Sequence, residues 1–117
     1  MQCFDQQRLR EAAMDDDEFM VELIDLFLDD MPSQLEWLRR GAGQADPDEV
    51  RKAAHRIRGA AGNVGAERLS GFCADLERVA GEPDPPPLGD LLGNVEQEWQ
   101  QIKTAMEALR KATANGN

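Results

Sequence analysis

Apolar residues recur at spacings of three and four along four stretches of the chain, and this period predicts amphipathic α-helices. The stretches cover residues 19–38, 50–61, 69–79 and 88–109. Residues 4–13, with Asp5 as a candidate N-cap, predict a further short helix at the N-terminus. Strand-like alternation is scarce. We therefore predict an all-α fold, an antiparallel four-helix bundle with a short additional N-terminal helix. We assign it to a single domain over residues 1–117, with the core bundle at about 16–114.

Local signals place the ends of these helices. An acidic run over residues 15–18 complements the positive end of the first long helix. We expect Pro32 to bend that helix rather than end it, because the apolar period resumes in phase beyond it. The segment 81–87 carries four prolines and predicts a stiff linker that cannot continue a helix. In the helix before this linker, over residues 66–80, we expect four side chains to face the core: Leu69, Phe72, Leu76 and Val79.

The second long helix carries the only histidine of the chain, His55. Asp46 is a candidate N-cap for this helix, and Pro47 suits its first helical position. Its apolar stripe should face the core and consists of Val50, Ala53, Ala54, Ile57, Ala60 and Ala61. Because His55 lies about 140° from Val50 on a helical wheel, its imidazole should point to solvent.

Two cations and two glycines share the face of His55. Arg51, Arg58, Gly59 and Gly62 fall within about 60° of it, so the imidazole should lie in a basic patch formed by the two arginines. A glycine inside an exposed helix costs roughly 1 kcal/mol relative to alanine, and Gly59 lies one turn beyond His55. We interpret Gly59 as a position where a partner needs space. The alternative is that Gly59 only permits close helix packing and that His55 is an ordinary surface residue.

A tight turn over residues 62–65 should fold the following helix back against the histidine helix. If the turn centres near Gly65 and Ala66, the antiparallel register places Glu77 level with His55. A carboxylate there could accept the proton on the far ring nitrogen of the imidazole. The alternative is a glutamate that is simply solvated.

Composition limits the class of protein. At 117 residues and 41% hydrophobic content, the chain suits one compact domain with a single core. The net charge of −10 argues against nucleic acid or anionic membranes as partners. We recognise no signal peptide, and no apolar run approaches the roughly 20 residues that span a bilayer. Cys3 and Cys73 do not suggest a disulfide framework, and Cys73 suits a small buried hydrophobe. We expect a monomeric, cytoplasmic protein.

The residues around His55 also match a family signature. Residues 54–65 read AHRIRGAAGNVG and are followed by Leu69, Cys73 and the pair Leu76-Glu77. This pattern resembles that of histidine-containing phosphotransfer (HPt) domains. Residues 19–28 are similar to the long second helix of the family, and Glu98-Trp99 resembles the C-terminal module of bacterial tripartite sensor kinases of the anaerobic-response type. One departure is Arg58, where lysine is commoner in the family.

The resemblance implies a phosphocarrier of a two-component phosphorelay that has no autokinase activity. A receiver domain would dock on the basic patch, and the outer ring nitrogen of His55 would attack the phosphorus of its aspartyl phosphate. The phosphohistidine would then pass the group to another receiver aspartate. Arg58, with Arg51 and Lys52, would offset phosphate charge. The resemblance gives Glu77 the role of orienting His55, and it implies that Mg²⁺ comes from the receiver rather than from a metal site or cofactor of this chain.

Other classes fit the sequence less well. A hydrolase or nucleotide-driven kinase is disfavoured, because the chain has no P-loop, no nucleotide-binding glycine pattern and one histidine to serve as base. A metal or haem bundle would need further histidines at helical spacing. The main alternative is a helical docking or adaptor bundle whose His55 is never phosphorylated. The sequence leaves open which receivers are the partners, and whether the chain stands alone or belongs to a hybrid sensor kinase.

Overall fold

The computed structural model describes residues 3–115, and the terminal residues of the predicted domain lie outside this range. Within residues 3–115 the secondary structure is helical, with no β-strand, which confirms the predicted all-α fold. The helices are α1 (Gln6–Ala12), α2 (Asp17–Gly43), α3 (Pro47–Asn63), α4 (Glu67–Ala80) and α5 (Gly89–Ala114).

Helices α2 to α5 form the bundle. Each packs against the next in chain order, α5 closes the ring against α2, and α1 lies against α2 and α3. Two ion pairs show that α5 runs antiparallel to α2: Asp25, early in α2, contacts Arg110, and Arg39, late in α2, contacts Glu96. The largest fully buried side chains include Leu9, Met20, Ile24, Met31, Leu35, Leu38, Ile57, Leu69, Leu76, Ile102 and Met106.

The predicted N-caps are present. The Asp5 carboxylate accepts hydrogen bonds from the amides of Gln7 and Arg8, at 2.9 and 3.2 Å. The Asp46 carboxylate accepts one from the amide of Glu49 at 3.3 Å. Helix α2 continues through Pro32, as the unbroken phase of its apolar residues predicts. The proline-rich linker is non-helical, also as predicted.

The turn between α3 and α4 is fixed by one glycine. Helix α3 extends two residues beyond the predicted end at residue 61, to Asn63, and Gly65 then adopts φ +78°. A Cβ atom at this position would lie 2.6 Å from the carbonyl oxygen of Asp5. The Gly65 carbonyl in turn accepts a hydrogen bond from the Asp5 amide at 2.8 Å. Gly65 therefore gives the turn its left-handed conformation and admits the N-terminal segment against it.

The buried face of α4 differs from the prediction. Leu69 and Leu76 are buried as expected, but Phe72 and Val79 are only partly buried. Cys73 is fully buried, which confirms its interpretation as a small buried hydrophobe, and burial raises the pKa of its thiol to about 12. Ala80 takes a core position that was not predicted. The reason is that α4 packs against both α3 and α5, so its buried stripe is centred between these two neighbours.

Candidate functional site

His55 lies on the outer face of α3. The opposite face of this helix carries the buried residues Val50, Ala53, Ala54, Ile57 and Ala61. This apolar stripe fixes the rotation of α3 and leaves the His55 side chain 63% exposed. The structure therefore presents the imidazole to solvent in the middle of a long helix, where its backbone is held on both sides by regular hydrogen bonding.

Helix α4 supplies a carboxylate to the imidazole. His55 Nδ1 lies 2.8 Å from Glu77 Oε1, and the Glu77 side chain is 21% exposed. The register of the two helices is also held by Ser70, whose hydroxyl donates a hydrogen bond to the Arg58 carbonyl at 3.1 Å. Glu77 thus lies level with His55, as the antiparallel register predicts. The same register places Ser70 level with Gly62, and its hydroxyl reaches the Arg58 carbonyl one turn earlier in α3. No sequence pattern had singled out Ser70.

Arg58 joins the pair from one turn further along α3. Its Nε lies 3.2 Å from Glu77 Oε2, and its Nη2 lies 3.1 Å from His55 Nδ1. A guanidinium can only donate hydrogen bonds and an ionised carboxylate can only accept them. An unprotonated Nδ1 would turn its lone pair toward the ionised carboxylate of Glu77 at 2.8 Å, the shorter of the two contacts, so we assign the Nδ1 proton to a hydrogen bond with Glu77. In this tautomer Arg58 Nη2, at 3.1 Å, faces Nδ1 as a second donor rather than as its hydrogen-bond partner. Glu77 accepts a hydrogen bond from His55 and forms an ion pair with Arg58.

This assignment determines the state of the other ring nitrogen. When Nδ1 of a neutral imidazole carries the proton, Nε2 holds a lone pair. Within residues 3–115, Nε2 has no hydrogen-bond partner. The geometry therefore offers an exposed nucleophilic nitrogen whose tautomer is fixed from behind by a carboxylate.

The other predicted phosphate-binding cations lie nearer the start of α3 and are paired with one carboxylate. Arg51 Nη2 lies 2.7 Å from Asp48 Oδ1, and Lys52 Nζ lies 3.4 Å from Asp48 Oδ2. These contacts, the Arg51 hydrogen bond first, hold the pKa of Asp48 below its usual range. All three side chains are about half exposed or more, so water screens the pairs and both cations can exchange partners readily.

The two glycines that share the face of His55, Gly59 and Gly62, have open space above them. A Cβ atom built at Gly59 meets nothing within 4 Å, and one built at Gly62 meets only the Ser70 hydroxyl, at 3.9 Å. Helix packing therefore does not require glycine at position 59, and that alternative explanation of Gly59 is wrong. The bare backbone lies at the surface beside His55.

The described part of the chain holds neither a cluster suited to a metal ion nor a helix suited to span a membrane. Residues 3–115 contain no group of three or more His, Cys, Asp or Glu side chains placed to hold a metal ion. None of the helices α1 to α5 combines the length and the apolar character that crossing a membrane would require. Among residues 3–115, the carboxylate in contact with the His55 imidazole is that of Glu77.

Comparisons with known proteins bear on the fold and the family. The family model of the Hpt domain matches residues 22–112, which is more than half of the chain. A solved structure with a similar fold is histidine-containing phosphotransfer protein B (HptB) from Pseudomonas aeruginosa PAO1, with a TM-score of 0.87 and 24% sequence identity. That match covers 93% of this chain and 95% of the other. A comparison with curated proteins gave no significant match.

Proposed function

The chain belongs to the Hpt domain family and has a histidine phosphotransfer role in a phosphorelay, and from this premise we propose that His55 is the phosphoryl-accepting residue. In this proposal His55 receives the group from the aspartyl phosphate of one receiver domain and gives it to the aspartate of another. One observation carries the proposal. The exposed imidazole has Glu77 Oε1 2.8 Å from its Nδ1, and in the tautomer assigned above this leaves the Nε2 lone pair free toward solvent.

The transfer needs few protein groups. The Nε2 lone pair of His55 forms a bond to phosphorus, in line with the bond from phosphorus to the donor carboxylate oxygen. That bond breaks, and its electron pair stays on the donor's carboxylate. The Nδ1 proton remains in place, and the ring gains positive charge that the Glu77 carboxylate stabilises at 2.8 Å. The reverse sequence passes the group to the second receiver.

Cations near His55 would offset the charge on the phosphoryl group. Arg58 is already placed on Glu77 beside the imidazole, and its guanidinium has further donors to offer. Arg51 and Lys52, which lie toward the N-terminus of α3, would leave their ion pairs with Asp48 and bind the phosphoryl group instead. Within residues 3–115 no cluster of carboxylates and imidazoles is placed to hold a metal ion, so we assign the Mg²⁺ of the reaction to the receiver domain, and no cofactor to this chain.

The proposed site is complete within one chain, so we propose that the protein acts as a monomer.

The residues Glu98 and Trp99, which resemble the C-terminal module of a hybrid sensor kinase, are buried in the interior of the bundle. Trp99 packs edge-to-face on Phe27, with ring centroids 5.9 Å apart, and Glu98 is 2% exposed. The same exposed site would serve a stand-alone carrier and a module of a larger kinase equally well.

Incubation with phosphorylated receivers tests the function directly. The purified protein is mixed with several radiolabelled receiver domains in the presence of Mg²⁺, and the label is followed on the protein. We expect transfer of a label that is labile in acid and stable in base, as phosphohistidine requires. Absence of label after incubation with every receiver would instead favour the alternative, an adaptor bundle that is never phosphorylated.

Glu77 offers a test of how the nucleophile is positioned. Glu77→Ala removes the acceptor for Nδ1–H. We expect phosphoryl acceptance to slow on the order of tenfold, because the loss of one charge-assisted hydrogen bond raises the barrier by about that factor. Glu77→Gln retains an acceptor oxygen and should recover part of this rate. Because Glu77 acts through His55, acceptance from a receiver and from the small donor phosphoramidate should fall together. Wild-type rates for Glu77→Ala with both donors would rule out a positioning role.

A further inference from the structure

The cations of α3 are not equivalent in their contacts. Arg51 and Lys52 contact Asp48, and Arg58 contacts Glu77. Arg56 is exposed and makes no hydrogen bond or ion pair with any residue of the described range 3–115. It is therefore the one α3 cation in that range whose charge is not already shared with a carboxylate of the chain.

Arg56 lies beside the open surface at Gly59. On a helical wheel His55 falls about 40° to one side of Gly59 and Arg56 about 60° to the other. The first side is the α4 side, since Glu77 contacts His55 there, and Arg56 lies toward α2. A Cβ atom at Gly59 would meet nothing within 4 Å, so the bare backbone between the two side chains is open to a partner.

Electrostatics make this position important. The chain has a net charge of −10, and the phosphoryl group that the proposed donor carries on its carboxylate is also negatively charged. Most of the surface therefore repels this partner, and attraction depends on local positive charge. A cation that binds an incoming anion without first leaving an internal ion pair loses no existing contact, which distinguishes Arg56 from Arg51 and Lys52.

We propose that Arg56 is a partner-recognition residue that attracts and orients the acidic, phosphorylated face of a receiver domain over the Gly59 surface. It takes no part in the chemistry at His55, because it lies on the side of α3 away from the Glu77 contact. This inference rests on the proposed function and adds a contact outside the group formed by His55, Arg58 and Glu77. It predicts an effect on association, which depends on salt, rather than on phosphoryl transfer itself.

The test compares two variants with a matched control. Arg56→Glu reverses the charge and Arg56→Gln removes it. Lys103→Glu makes the same reversal at another exposed cation that has no partner in the described range, on α5, which does not contact α3. For each protein the second-order rate of transfer from a phosphorylated receiver is measured at about 0.05 M and about 0.5 M salt. Labelling by phosphoramidate is measured alongside, and circular dichroism checks the fold.

We expect Arg56→Glu to slow transfer from the receiver on the order of tenfold at low salt, with a smaller effect for Arg56→Gln. The difference should shrink at high salt, and Lys103→Glu should stay within about twofold of wild type. Phosphoramidate should label His55 in every variant at a similar rate, because a small donor makes no use of the recognition contact.

Three results would overturn the inference. Arg56→Glu could transfer at the wild-type rate at low salt, Lys103→Glu could slow transfer equally, or phosphoramidate labelling could fall as far as receiver transfer. The first would show that Arg56 is not a contact, the second that only net charge matters, and the third that Arg56 acts on His55 itself. A wild-type protein that accepts nothing from any receiver would instead reject the proposed function, and the inference with it.

Discussion

Replacement of His55 by glutamine is expected to abolish phosphoryl acceptance while leaving the fold intact. The side chain is 63% exposed, and surface substitutions of this kind change the free energy of unfolding by roughly 0.5 kcal/mol or less. Glu77 is not left unpaired, since Arg58 Nε remains 3.2 Å from its carboxylate and the new amide can also donate to it. The loss should be complete, because glutamine offers no nucleophilic nitrogen in place of Nε2.

The measurement combines labelling with thermal unfolding. His55→Gln and wild type are incubated with a phosphorylated receiver and, separately, with phosphoramidate, and their thermal midpoints are compared by circular dichroism. We expect no label from either donor and nearly equal midpoints. Residual acid-labile label on the variant would place the accepting residue elsewhere, whereas an unfolded variant would show that His55 contributes to packing, contrary to its exposure.

The second large effect is expected at Gly59. Gly59→Gln should fold, because a Cβ atom at this position meets nothing within 4 Å. The longer side chain would stand on the open surface next to His55, where a receiver must bring its phosphoryl group within reaction distance. We expect the rate of receiver transfer to fall on the order of a hundredfold, because even a small displacement of the reacting groups lowers a rate by about this factor. Phosphoramidate needs far less room, so its labelling of His55 should survive.

Gly93→Gln is the matched control. Gly93 is also an exposed helical glycine with nothing within 4 Å of a built Cβ atom, but it lies on α5. Receiver transfer by this variant should equal that of wild type. Gly59→Ala should raise the free energy of unfolding by up to ~1 kcal/mol through helix propensity. If Gly59→Gln transfers at the wild-type rate, the glycine does not provide clearance for a partner.

Local sequence determined the fold to a large extent. The 3.6-residue period of apolar positions depends only on which face of each helix meets a core, and it predicted the helices and their order. Caps act within one turn, so Asp5 and Asp46 could be identified without knowledge of the tertiary structure. The exposure of His55 follows in the same way, because the stripe from Val50 to Ala61 fixes the rotation of α3.

The errors arose where a helix has two neighbours. A single apolar stripe suggested Phe72 and Val79 as core residues of α4, but both are only partly buried, and contact with both α3 and α5 places Ala80 in the core instead. The burial of Glu98 is a feature that was not predicted from the sequence. Its side chain is 2% exposed, with Oε1 3.4 Å from Arg68 Nε and Oε2 without a hydrogen-bond partner in the described part of the chain. Sequence patterns place glutamates outside because burying a carboxylate is costly, and only Arg68 on the facing helix offsets that cost.

The contacts at His55 show the same division. Arg51 and Lys52 lie three and four residues from Asp48, so the ion pairs that occupy them follow from helical spacing alone. The contact between His55 and Glu77 joins residues 22 positions apart, and it depends on the register of two helices. The sequence predicted that register from the turn, but only packing across the bundle fixes the distance at 2.8 Å and brings Arg58 onto the same carboxylate.

Sequence alone therefore determined the helices and the exposed histidine, since both depend on the local period of apolar residues. The tertiary structure decided which charges are shared and which, like that of Arg56, remain available, because ion pairing depends on distances between helices that no local pattern encodes.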